Sequence, residues 1–178
     1  MASLCERTRI PRASGPRRRE RGVANVKVST RGEYGMRAMV ELARRHGDGP
    51  TSLTVIAQAA TVPPAYLEQL IGPLRQAGLV NSTRGAHGGY ELSRPPADIY
   101  VGEVYRVLEG PVAPMDCVSE VEPDELCPLI DGCATRVVWL KVRDSIVDVL
   151  DSTTLADLIA QARLSAPASG AALATPAS

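Results

Sequence analysis

Three cysteines, Cys117, Cys127 and Cys133, fall within 17 residues, with nine and then five residues between them. Thiolates grouped in this way are soft ligands and suit zinc or an iron–sulfur cluster. The same stretch carries Asp116, Glu120, Glu122, Asp124, Glu125 and Asp131. That acidity predicts raised thiol pKa values and disfavours a reactive, metal-free thiolate. A bound cation or cluster reverses the argument, because it stabilises thiolates directly. Neither a paired Cys-x-x-Cys arrangement nor a ferredoxin run is present, so spacing leaves zinc and iron–sulfur both open. Cys5 lies far upstream in an Arg-rich stretch and is read as incidental. No nucleophile–base pairing or phosphate-binding glycine loop points to an enzyme.

A second set of residues has the chemistry of DNA reading. The apolar positions Leu67, Leu70, Ile71 and Leu74 predict a helix from Pro64 to Gly78, and its opposite face centres on Ala65, Gln69 and Gln76, flanked by Tyr66 and Glu68. Gln pairs with adenine edges, Glu accepts from cytosine, and Tyr reaches phosphate. Pro73 inside this helix removes a backbone donor and predicts a kink. A helix with Leu53, Ile56, Ala57 and Ala60 on one face precedes it across the short break Thr61-Val62-Pro63. This is the connection that a helix-turn-helix needs. The first helix, about Arg31 to His46, has Met36, Met39, Val40 and Ala43 on its predicted inner face, a Thr30/Glu33 capping box and Gly47 as its stop. After the third helix, Leu79–Thr83 and Tyr90–Ser93 read as strands joined by the glycine-rich tip Arg84–Gly89. Arg84 is placed to enter a minor groove. Lys27, Arg31 and Arg37 are placed to hold phosphates, and His87 is read as merely exposed.

The remaining elements position the cysteines. After Pro95-Pro96, a fourth helix is predicted with Val101, Val104, Tyr105 and Leu108 on one face. A long helix from about Cys133 to Asp151 carries the stripe Val138, Val142, Ile146 and Val149, and it is read as a dimerisation helix. Ser152 or Thr153 is expected to cap a last helix over Thr154–Ala162. The fold class is therefore mainly α: a winged helix-turn-helix with a small β-hairpin wing and a long C-terminal dimerisation helix. The expected organisation is a disordered basic arm over 1–25, a DNA-binding domain over 26–94, a cluster loop with dimerisation helices over 95–163, and a disordered tail over 164–178. Val23, Val26 and Val28 are candidate internal start sites.

Charge follows this division. The chain has 20 Lys+Arg and 20 Asp+Glu among 178 residues, so its net charge is zero. The arm holds seven Arg against two acids, the winged-helix region is +3, and residues 95–178 are −8. The zero is a sum over a basic reader and an acidic thiol half. No run approaches the roughly 18 apolar residues of a membrane span, and the Arg-rich start lacks the apolar stretch of a secretory signal. Five Tyr, one Trp and no Phe disfavour a base-stacking sheet.

Several blocks resemble one known family. They are Val28-Ser29-Thr30-Arg31-Gly32-Glu33-Tyr34, Tyr66-Leu67-Glu68-Gln69-Leu70, Leu74–Val80, Arg84-Gly85 with Gly88-Gly89-Tyr90, and Val101-Gly102-Glu103-Val104 with Leu108-Glu109-Gly110. Together they are similar to the Rrf-two family of bacterial repressors, which includes iron–sulfur sensors. The resemblance covers about Val26–Ala162. It implies a cytoplasmic homodimer on a pseudo-palindromic operator, with base contacts from Tyr66, Glu68 and Gln69 and a minor-groove contact from Arg84. It also implies that Cys117, Cys127 and Cys133 hold an iron–sulfur cluster, [2Fe-2S] or [4Fe-4S], that sets operator affinity in response to redox state, nitric oxide or iron. Arg136 stands where some members carry a ligating His. The family's alternative fourth ligand, a carboxylate of the partner near the start of helix one, matches Glu33. Pro63-Pro64-Ala65 and Ala86-His87 depart from the family's usual residues. The alternatives are a winged-helix protein with a structural zinc at the three Cys, and a cluster-binding redox protein that is not a regulator.

Overall fold

The computed structural model describes residues 28–85, 87–121, 127, 130 and 132–165. Cys5, Lys27, Ala86, the arm over 1–25 and the tail beyond Ser165 lie outside the described residues. The described chain is mainly helical, with one two-stranded antiparallel hairpin.

Helix α1 spans Thr30–Arg44. Its cap is Ser29, whose hydroxyl accepts from the Arg31 and Gly32 amides at 3.1 and 3.3 Å. This corrects the Thr30/Glu33 capping box. Glu33 turns along the helix and bonds Arg37 at 2.5 Å. The inner face is also rotated from the expected one. Ala38, Met39, Leu42 and Ala43 are buried, whereas Met36 and Val40 are only half-buried. The rotation follows from two glycines. A Cβ on Gly35 would overlap Leu108 Cδ1, and one on Gly32 would press on Glu109 and Val28. Helix α4 lies against this bare strip of α1, and a sequence reading weighted by bulky residues misses such a contact.

Helix α2 spans Leu53–Ala60, capped by Ser52, and α3 spans Pro64–Gln76. Between them Thr61 takes φ +55°, the left-handed conformation that usually falls to glycine. Val62 then tucks into the core with 4% exposure. Pro64 occupies the first turn of α3, where a missing N–H costs nothing. The helix runs on through Pro73 to Gln76. Gly78 follows at φ +72° and turns the chain into the wing.

The wing is β1 (Val80–Thr83) paired with β2 (Gly89–Leu92), in the register Val80↔Leu92 to Thr83↔Gly89. Thr51 adds a third rung through two backbone bonds to Tyr90, at 2.9 and 2.8 Å. Gly89 is required beside it, because a Cβ there would overlap the Thr51 carbonyl.

Helix α4 spans Val101–Glu109, α5 spans Arg136–Ser152 and α6 spans Leu155–Ser165. The cap of α6 is Thr154, one residue past the expected Ser152 or Thr153. Thr154 and Asp157 exchange bonds of 2.9 Å (Thr154 N to Oδ2) and 3.1 Å (Asp157 N to Oγ1). One core joins α1–α3 to the later elements. Leu42, Ile56, Leu67, Leu70 and Leu74 meet Ile99, Val104, Leu108 and Leu155, all 5% exposed or less. Leu155 is also pinned through its backbone amide to the Ile99 carbonyl at 3.0 Å. Helix α5 differs from the rest, since none of its side chains is buried.

Candidate functional site

The DNA-reading candidates sit where a helix-turn-helix presents them. On α3, Ala65, Glu68, Gln69 and Gln76 are exposed, opposite the buried Leu67, Leu70, Ile71 and Leu74. Tyr66 is half-buried. Its ring meets Tyr34 of α1 edge-on, with centroids 5.7 Å apart and planes at 87°. The Arg37 guanidinium lies 5.8 Å from the Tyr34 centroid. Glu33, Arg37, Tyr34 and Tyr66 therefore form a continuous chain from the first turn of α1 to the exposed helix. Arg31 is exposed on that first turn, and Arg84 is exposed at the end of β1. Arg75 escaped the sequence reading. It bonds Ser82 Oγ at 3.3 Å and ties the last turn of α3 to the wing.

The thiol candidates lie on the other half. Cys117 is in a 3₁₀ turn over Asp116–Val118, and the neighbouring Val118 side chain is fully buried. Two arginines of α5 face this turn. Arg136 donates to the Cys117 carbonyl at 3.4 Å, and Arg143 reaches the Val118 and Ser119 carbonyls at 3.5 Å. Cys133 lies just ahead of α5, and its carbonyl accepts from the Arg136 amide at 3.1 Å. Arg136 thus links the backbones of Cys117 and Cys133. All three thiols are partly exposed.

The acidic surroundings do not raise the Cys133 thiol as expected. The Thr135 hydroxyl, 3.2 Å from Sγ, holds its pKa below the ordinary thiol value, helped by the Thr135 and Arg136 amides and the Arg136 charge. Glu122, Asp124, Glu125 and Asp131 lie outside the described residues. The nearer influence is the start of α5, whose free amides favour a thiolate.

The structure gathers some of these groups and not others. Among the described residues, no three His, Cys, Asp or Glu side chains form a group that could hold a metal ion. Glu33 belongs to the other half. It lines an open groove of about 700 Å³ between α1, α2, α4 and the end of α5, together with Met36, Val40, Ala60, Tyr105 and Leu150.

A junction joins the two halves. Arg106 of α4 forks between Glu120, at 2.5 to 3.1 Å, and Asp151 of α5, at 2.6 and 2.9 Å. The bonds from Arg106 hold both carboxyls below their ordinary pKa values. Glu120 also accepts from the Val112 amide at 3.1 Å.

A family model described as Rrf2, iron-dependent transcriptional regulator, matches residues 28–161. The chain belongs to the Rrf2 family. The HTH-type transcriptional regulator CymR of Bacillus subtilis is 50% identical over 133 residues, which is 75% of this chain and 89% of that protein. Protein rrf2 of Nitratidesulfovibrio vulgaris is 40% identical over 139 residues, 78% of this chain and 91% of that protein. Among solved structures, B. subtilis CymR, titled the global cysteine regulator, superposes with a TM-score of 0.64 at 48% identity, covering 76% of this chain and 98% of that one. IscR of T. potens superposes with a TM-score of 0.65 at 46% identity, covering 84% and 97%. This chain is accordingly a winged-helix, DNA-binding transcriptional regulator of the Rrf2 type, and its relatives are named as regulators rather than enzymes. No helix among the described residues is long and apolar enough to cross a membrane.

Proposed function

We propose that this Rrf2 regulator acts as a homodimeric repressor. In this reading it binds a pseudo-palindromic operator through the exposed face of α3 and Arg84, and an iron–sulfur cluster held by Cys117, Cys127 and Cys133 sets its affinity. The observation that carries the sensing half is the tie between two of the three thiol residues. Cys117 and Cys133 flank one segment, both are partly exposed, and Arg136 bridges their backbones. The donor set fits a cluster chemically: three soft thiols, one with its thiolate already favoured by Thr135. When bound, the cluster would supply a group whose loss or oxidation answers nitric oxide, oxygen or iron supply. The iron-dependent description of the family supports this choice over a structural zinc.

The dimer reading is supported by α5. Val138 and Val149 are 59% and 63% exposed on a helix that buries no side chain. Glu33, on α1 and open to the groove, is proposed as a ligand to the partner's cluster. Lys27 and Arg31 are proposed to hold phosphates ahead of α3.

A second reading has its own support. Staphylococcus aureus CymR, 43% identical with 75% of this chain covered, has been solved in an oxidised form. Under that reading the thiols themselves answer oxidation and no cluster is held.

The DNA half is tested at Gln69, which is exposed on α3. Gln69→Ala should weaken operator binding by about 1–3 kcal/mol and relax base preference at one position of each half-site. Selection from randomised half-sites reads this directly. Unchanged affinity and preference would remove Gln69 from the interface.

A further inference from the structure

We propose that Arg106 is the positioning residue that couples the thiol segment to the DNA-reading half, with α4 as the stiff link between them. The proposal rests on the sensing reading above and deepens it.

The geometry is that of a clamp. Arg106 holds Glu120 through Nε and Nη2, and it holds Asp151 through Nη1 and Nη2. Glu120 closes its own segment by backbone and side chain. Its amide donates to the Val112 carbonyl at 3.0 Å, and its carboxylate accepts from the Val112 amide. The stretch between Val112 and Glu120 is thereby a closed loop that contains Cys117, three residues before the clamped carboxylate. Asp151 belongs to the last turn of α5, and its carboxylate occupies the space that a Cβ at Gly102 would take. Two residues further on, the Thr153 carbonyl accepts from the Val101 amide at 2.9 Å, so α5 is joined to the start of α4 as well.

The far end of α4 carries the other half of the link. Leu108 fills the space left by Gly35, and Glu109 bonds the hydroxyl of Ser29, the cap of α1. That first turn holds Arg31 and Glu33 and leads through Arg37 and Tyr34 to Tyr66. A planar guanidinium gripping two carboxylates resists displacement in more than one direction, which a single flexible contact does not. A shift of Cys117 carries Glu120, Glu120 carries Arg106, and α4 delivers the shift to α1. Interfaces packed as closely as Gly35 on Leu108 pass small movements on rather than absorbing them.

The test compares operator affinity of cluster-loaded and cluster-free protein for the wild type, Arg106→Met and Asp151→Asn, all full-length and anaerobic, with the visible spectrum recorded for each. The wild-type ratio is expected to lie in the roughly 5- to 150-fold range of ordinary coupling. Arg106→Met should keep the chromophore and bring the ratio close to one, and Asp151→Asn, which leaves the Glu120 half of the clamp, should lower it partway. A loss of stability alone moves the urea midpoint but not the ratio. If Arg106→Met loses its chromophore or fails to fold, Asp151→Asn decides: a lowered ratio supports the coupling and a wild-type ratio overturns it. A wild-type ratio in both variants overturns the coupling and leaves sensing intact. A ratio of one in the wild type overturns the sensing reading itself, and the coupling with it, so the two failures are distinguishable.

Discussion

A double substitution on the apolar stripe of α5, Val142→Asp with Val149→Asp, should convert the protein from dimer to monomer and cut operator affinity by about two orders of magnitude or more. The helix displays Val138, Val142, Ile146 and Val149 along a shallow apolar surface with Lys141 and Ser145 beside it. Each Val that a second copy covers contributes about 1.5–3 kcal/mol, and a two-fold interface counts every residue twice. An Asp in place of Val at such a position puts an unpaired charge into a dry contact. The same change is mild for the single chain, because neither side chain is buried in it. Far-UV circular dichroism should stay close to wild type, while sedimentation moves to the monomer and the urea midpoint falls by the stabilisation that dimerisation supplies. The DNA effect follows from geometry: the proposed dimer would span two half-sites about 34–36 Å apart, and a monomer would lose the second contact. A variant that sediments as a dimer and binds the operator normally would remove α5 from the interface.

The second large effect concerns colour. Protein purified without oxygen should absorb in the visible, and replacing any one of Cys117, Cys127 or Cys133 by Ala should abolish that absorption. The structure explains why the Cys117 and Cys133 variants should still fold. Cys117 engages Arg136 through its carbonyl, which Ala retains. The only side-chain contact of Cys133 given by the described residues is with the Thr135 hydroxyl at an exposed position. The buried anchor of the segment is Val118, which no variant touches. Retained colour in all three variants would show that the ligands lie elsewhere. A colourless wild type with stoichiometric zinc would replace the cluster by a structural metal, and a colourless wild type without metal would favour the thiol-oxidation reading.

Much of the reader half was legible in the chain because its signals are local. Leu67, Leu70, Ile71 and Leu74 repeat at helical spacing, Pro64 and Gly78 mark the two ends, and Gly88-Gly89 mark the hairpin. What escaped depends on partners distant in sequence. Gly32 and Gly35 carry no apolar signal, yet they set the contact with α4 and rotate the buried face of α1 away from Met36 and Val40. Thr51 gives no sign that it will pair with Tyr90. Arg106 looks like any solvated arginine until Glu120 and Asp151, 14 and 45 residues away, arrive beside it. The cysteines were legible by type and grouping. The bias of the Cys133 thiol was not, because its thiolate is favoured by a helix start that composition does not reveal, against the acidity that composition does.

The central claim is that one chain joins an operator reader to a thiol-held cluster and that the second controls the first. The most direct measurement is an anaerobic titration of a fluorescent operator duplex with cluster-loaded protein, repeated on the same preparation after the cluster is removed by chelation. Two binding curves at least about 5-fold apart in Kd are expected, both salt-dependent as phosphate contacts require. Two superimposable curves from protein shown to carry and then to lose its chromophore would contradict the claim.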